Sequence, residues 1–292
     1  MIVDSGLESL LGALLYEGYA LYPYTAGATK NATPTPFGIV YPPAYAQGSA
    51  AAFDRLRLHG VTPAGGDAVI QAEVRFLQAA PEGGHRAIER RLRAAPRTLE
   101  ELAGTPDEQT FAFDGLTGRM RFSARPLEAG GWRIALCVHN MTDVDEAGLD
   151  RGAALRTSLL STHPIVRLEG GTFVSPLERE GPLGAAVAGC DPVNTYPILA
   201  SPDDDVLVGA AIVLPDHPQL APESRGNLFD GTEIEEALVL HVMALSDDER
   251  EQIAAGDPAI RELVARTVAA TPEDLVRLHG RTVLHDPGRG EL

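Results

Sequence analysis

Leu7, Leu10, Leu11, Leu14 and Leu15 recur at helical spacing and predict a short helix over residues 7–19, ended by Pro23. Residues 33–46, dense in Pro, Gly and Tyr, read as irregular or extended chain lying over a surface. A two-residue period then takes over. Over residues 67–79, Val69, Gln71, Glu73 and Arg75 alternate with Ile70, Ala72, Val74 and Phe76, which predicts a strand with one side in the core. Residues 110–123 read as a hairpin, with Phe111 and Phe113 before Asp114-Gly115 and Met120 and Phe122 after it. Residues 132–140 alternate again, with Trp132, Ile134, Leu136 and Val138 pointing one way. Residues 153–168 carry β-branched and Leu-rich runs interrupted by His163-Pro164. Residues 172–177, 196–199, 206–214 and 237–245 are further strand candidates.

The pattern changes at Ser246. Ser246-Asp247-Asp248-Glu249 is a capping box, and Asp257-Pro258 and Thr271-Pro272 each set an N-cap residue before a proline at the first helical position. Ile260, Leu263, Val264, Thr267 and Val268 form a helical stripe, and Gly280 is a C-terminal stop. Strand follows strand without helical crossovers. The expected class is therefore α+β, mainly antiparallel β, a sandwich or open barrel. An N-terminal helix and Tyr/Pro arm (residues 1–46), a β-rich core (47–245) and a group of short C-terminal helices (246–292) would make one composite domain.

Charge sharpens this picture. Forty-one acidic against 24 basic residues give a net charge of -17, which disfavours nucleic acid and anionic lipid and suits, at most, a basic partner. Arg86, Arg90, Arg91, Arg93 and Arg97 make residues 85–102 the basic patch of the chain, with Ile88 and Leu92 at helical spacing. It reads as a solvated helix or long loop, or else as a dock for an acidic partner. No basic n-region precedes an apolar h-region, and no run approaches the ~20 apolar residues that cross a bilayer, so the expected compartment is the cytoplasm. Two cysteines without metal-ligand spacing argue against a disulfide framework and a thiolate zinc site.

Candidate chemistry is sparse. A phosphate loop, a nucleophile elbow and a zinc helix are all absent from the sequence. Cys137 and His139 would share the strand face opposite Trp132, as a thiolate–imidazole pair or as a buried thiol beside a hydrogen-bonded imidazole. Cys190 sits in a turn. His163 and His217, each before a proline, suit capping of carbonyls or metal ligation. Asp203-Asp204-Asp205 lacks calcium-loop spacing and reads as a solvated turn. No catalytic residue, metal ligand or cofactor is expected.

Two regions stand out. Six of the seven tyrosines lie in the first 45 residues, and tyrosine joins an apolar face to a polar tip, which suits interfaces. The candidate binding surface there is Tyr16, Glu17, Tyr19, Tyr22, Tyr24, Lys30 and Asn31. The second region is the polar segment 222–236, with Glu223, Asp230 and Glu233 as candidates.

Both regions carry a resemblance. Leu15-Tyr16-Glu17-Gly18-Tyr19, Tyr22-Pro23-Tyr24, Lys30-Asn31 and Phe37-Gly38 resemble the opening of an uncharacterised accessory family encoded beside uptake [NiFe]-hydrogenase subunits, notably in actinobacterial clusters for high-affinity hydrogen oxidation. Ala221-Pro222-Glu223-Ser224 and Leu228-Phe229-Asp230-Gly231-Thr232-Glu233-Ile234-Glu235-Glu236, then Asp247-Asp248-Glu249 and Leu278-His279-Gly280, are similar to its second half. The family pattern sets an Arg after Tyr-Pro-Tyr and further basic residues after Lys-Asn. Here Thr25 and Ala32-Thr33-Pro34-Thr35-Pro36 stand instead, leaving Lys30 as the arm's cation. The resemblance implies a process, hydrogenase assembly or maturation, without a mechanism; the leading expectation is a cofactor-free, non-catalytic accessory or assembly factor that binds a hydrogenase subunit or maturation protein. The alternative is an enzyme acting on a small ligand between arm and core, where Tyr22, Lys30 and Glu233 would converge. A third possibility is a scaffold whose arm completes the core, with tyrosines buried against the sheet.

Overall fold

The computed structural model describes residues 5–21, 37–80, 87–145, 149–218 and 265. Apart from Ala265, these belong to the first of two units, Met1–Gln219 and Leu220–Leu292. The expected strand at 237–245 and the C-terminal helices therefore lie outside the described residues.

In chain order the helices are α1 (Ser5–Leu21), α2 (Pro43–Ala46), α3 (Leu99–Gly104), α4 (Arg151–Arg156) and α5 (Gly181–Ala188). The strands are β1 (Arg55–Thr62), β2 (Val69–Ala79), β3 (Ala87–Arg93), β4 (Arg97–Thr98), β5 (Asp107–Phe113), β6 (Leu116–Pro126), β7 (Trp132–Asn140), β8 (Leu160–Glu169), β9 (Tyr196–Leu199) and β10 (Val206–Ala210). Every pairing between these strands is antiparallel. One sheet runs β1-β7-β6-β5; the other runs β3-β2-β8-β10-β9, with β4 on β2. The mainly antiparallel α+β class is thus what the chain adopts.

The core lies between the sheets. Leu56, Leu58, Met120, Phe122, Ile134, Leu136 and Val138 come from the four-stranded sheet, and Ile70, Val74, Phe76, Val166, Leu168 and Leu207 from the other, in one buried cluster. Each set occupies alternate positions, as a half-buried strand requires. Gly60 brings the layers close, since a Cβ there would stand 2.4 Å from Leu207 Cδ2. The β5–β6 hairpin turns through Asp114 (φ 28°) and Gly115 (φ 83°), the left-handed pair a two-residue hairpin needs.

The structure corrects four expectations. Residues 87–93 form strand β3 on β2, neither helix nor loop; Ile88 and Leu92 are four apart, an interval that suits a two-residue period equally well. Residues 172–177 form no strand: Phe173 N–H donates to Asp204 O and Val174 N–H to Val61 O, so the segment is tied down bond by bond. His163-Pro164 does not break its strand. The β8–β10 ladder ends at Ile165↔Val208, one residue before the proline that lacks a donor, while β2 pairs on past it. Finally, residues 43–46 are a short helix, α2, entered through Pro43.

Helix α1 appears as the leucine pattern predicts. Leu7, Leu10, Leu11, Leu14 and Leu15 are all buried, and the helix lies on β8 and β2. It therefore covers the outer side of the six-stranded sheet. Five buried leucines at about 1.5–3 kcal/mol each suffice to dock it.

Candidate functional site

Both sheets carry ionisable residues on their outer faces. On the six-stranded sheet, beside α1, an open cleft of about 720 Å³ is lined by Glu8, Glu73, Arg75, Arg91, Arg93 and Arg167, among others. Arg75 is 4% exposed. It donates through Nη1 and Nη2 to both oxygens of Glu8 at 2.8 and 2.7 Å, and through Nε to Glu73 at 2.5 Å. Glu73 also accepts from Arg93 at 3.3 Å, and Arg167 stands 3.7 Å from Glu8. The bond from Arg75 holds the Glu8 carboxyl below its usual range, against the opposing pull of burial. Burial works against the Arg75 charge, but Glu8 and Glu73 outweigh it and hold its pKa raised.

Such a network is a clamp. Its fork-to-fork geometry fastens α1 to β2, and each nitrogen of the central guanidinium donates to one of two carboxylates. Nearby, Ser161 Oγ donates to Leu14 O at 3.3 Å, a further tie from β8 to the helix. His163 is fully buried on the same side, in register with Arg75. Its Nδ1–H donates to Ser161 O at 2.8 Å, which leaves Nε2 as an acceptor without a partner. Burial lowers its pKa to about 4, so the ring is neutral.

The basic run 85–102 is spent internally. Arg90 bonds Asp114 at 2.7 Å and Gln78 at 3.0 Å and lies over the Phe113 ring. Arg91 pairs with Glu89, and Arg97 donates to the carbonyls of Glu101 and Thr105. Arg86 lies outside the described residues.

The four-stranded sheet differs. Its outer face gathers Arg55 and Arg57 from β1, Arg119, Arg121 and Arg125 from β6, and Arg133 from β7. Cross-strand register aligns Arg55, His139 and Arg119 in one row and Arg57, Cys137 and Arg121 in the next. Arg57 is bonded to Asp191, Arg55 to Asp54 and Arg119 to Glu108. Arg121 and Arg125 are exposed and form no ion pair with a described residue. Arg119 Nε and Arg133 Nε are buried without a hydrogen-bond partner, while Arg133 Nη2 donates to Ala186 O of α5 at 2.6 Å.

The expected Cys137–His139 pair shares this face but is not an activated one. Burial raises the Cys137 thiol despite Arg57 and Arg121, and burial lowers His139, with Arg119 acting in the same sense. Thiol and imidazole are thus both neutral, the reverse of a thiolate–imidazolium pair. Burial, with Arg57 and Arg133, takes His59 to about 4; its Nδ1 accepts from Asp191 N–H at 3.0 Å. Cys190 is raised by burial, and its thiol donates to Ala186 O. His217 Nε2 meets the Asp204 carboxylate at 2.6 Å instead of capping a carbonyl. Asp205 bonds Ser201 within the turn. No group of three or more potential metal-ligating side chains occurs among the described residues.

The candidate surface drawn from the sequence falls elsewhere. Tyr16, Glu17 and Tyr19 lie on α1, whose described side chains end at Leu15; Tyr22, Tyr24, Lys30, Asn31, Glu223, Asp230 and Glu233 lie outside the described residues. The second tyrosine cluster is visible. Tyr41 is buried, with its ring 4.8 Å from that of Tyr45, and Arg151 donates to its hydroxyl at 3.4 Å. Tyr45 itself is half-buried. What sequence reasoning missed is the arginine face. Its signal was present in Arg55-Leu56-Arg57-Leu58-His59 and in Arg119-Met120-Arg121-Phe122, where cations alternate with apolar residues.

Comparison with known proteins found no matching family model, no matching curated protein and no matching solved structure. Among the described residues, no helix is long and apolar enough to cross a membrane.

Proposed function

We propose that the protein is a non-catalytic accessory or assembly factor for a [NiFe]-hydrogenase, acting by binding a hydrogenase subunit or a maturation protein. The hydrogenase half of this reading rests on the sequence resemblance at the two ends of the chain. The binding half is carried by one observation: a sheet face lined with arginines, of which Arg55, Arg121 and Arg125 are exposed, around a thiol and an imidazole held neutral. Arginine and tyrosine are the side chains that anchor protein partners most often. The Tyr16–Asn31 arm and the segment around Asp230 are further contact regions in this proposal. The proposed compartment is the cytoplasm, where subunits are met before assembly.

Deleting the gene from a hydrogen-oxidising host tests the reading. Hydrogenase activity or subunit processing is expected to fall. Full activity with normal processing would overturn it.

A further inference from the structure

On the outer face of the four-stranded sheet, the part of β7 from Ala135 to His139 runs as a neutral strip between two arginine rails. Arg55 and Arg57 of β1 stand on one side and Arg119 and Arg121 of β6 on the other, in register with His139 and Cys137. Alternate residues on a strand are about 6.8 Å apart, and the rails, two strand spacings apart, about 9.6 Å. An extended segment laid along β7 presents carboxylates at alternate positions with that same 6.8 Å repeat. We infer that this strip is a docking groove for an extended acidic segment of a partner protein, its Asp and Glu side chains paired to the two rails.

Charge complementarity supports the choice. Six arginines face three paired carboxylates here, Asp54, Asp191 and Glu108, leaving a local excess of three cations in a chain of net charge -17. At physiological ionic strength charges beyond ~8 Å are largely screened, so the face governs what docks on it. Guanidinium forks match carboxylates in a bidentate manner. Phosphates would meet the same forks, but the strip is Ala135, Cys137 and His139, with no Phe, Tyr or Trp on which unpaired bases would stack. Docking does not require the hydrogenase assignment; it rests only on the binding half of the proposed function.

The test uses the full chain and a fluorescein-labelled peptide of alternating Glu and Ser, read by anisotropy at low and at physiological salt. Wild type is expected to bind, with affinity falling as salt rises. Arg121→Glu/Arg125→Glu is expected to weaken binding at least about tenfold, and Arg121→Ser/Arg125→Ser to weaken it in the same direction. Arg156→Glu, an exposed site on α4, should change it less than about threefold. Equal losses at both sites, no binding by wild type, or tighter binding of a single-stranded oligonucleotide of equal charge would each overturn the inference. So would self-association through this face, seen by sedimentation as dimers that Arg121→Glu abolishes. Hydrogenase processing in the deletion strain is a separate readout, so either reading can fail without the other.

Discussion

The two outer sheet faces hold similar residues and treat them in opposite ways. Under α1, Arg75 is buried with a carboxylate on either side, and its partners Glu8 and Glu73 are themselves shared with Arg167 and Arg93. On the four-stranded sheet, Arg121 and Arg125 are exposed and form no ion pair with a described residue. Burying a guanidinium is tolerable only when its donors are met. An exposed one carries no such penalty and remains available. Arginine content therefore says little about role; whether the fold has already answered the charge says more.

Breaking the covered face should cost most. Arg75→Met keeps the bulk but leaves Glu73 buried with one fewer cation, and roughly 3–5 kcal/mol of stability should be lost, read from the urea midpoint. Next comes His163. Its folded pKa of about 4 lies below the ordinary 6.5, so the unfolded chain binds more protons between those values. Stability is then fullest above pH 6.5 and falls with pH through that window, by up to about 3 kcal/mol. His163→Gln should flatten the slope; an unchanged slope would show that another group carries it. His59 acts in the same sense but is part-exposed and contributes less.

Glu8→Ala should cost about 1–3 kcal/mol, since Arg75 keeps Glu73 and water can reach the gap. Because Glu8 is held below its usual pKa by Arg75, its contribution is present at neutral pH and is lost as pH falls through that lowered value. The smallest effect belongs to the open face. Arg121→Ser/Arg125→Ser should alter stability by less than about 0.5 kcal/mol. A larger loss by thermal or urea unfolding would mean that the open face also helps hold the fold.

Much of the architecture was legible in the sequence. The leucine stripe of α1, the Asp114-Gly115 hairpin and the alternation of β2 and β7 all appear where their periods put them. The errors share a cause. Ile88 and Leu92 satisfy both periods, and only pairing with β2 decides between them. Pro164 is a strand breaker whose missing donor falls where one ladder has already ended, a tertiary fact. The polar side of β2 looked solvated because no local rule says that a distant helix will cover Glu73 and Arg75. The arginine face escaped notice for a related reason. Its cations are spread over residues 55–133 and meet only through register, while the contiguous run at 86–97 drew attention and proves to be mostly paired within the fold. A net charge of -17 likewise concealed a locally basic surface.

If the covered face fastens α1 and the exposed arginines dock a partner, stability and binding separate by mutation. Crossing the two assays on two variants tests it most directly: urea unfolding and acidic-peptide binding for Arg75→Met and for Arg121→Glu/Arg125→Glu. Arg75→Met should lose stability yet, at a temperature where it remains folded, bind the peptide within about threefold of wild type. The converse is expected for the double variant, an unfolding midpoint close to wild type with binding weakened at least about tenfold. A double variant that unfolds early, or binds as wild type does, would contradict that separation.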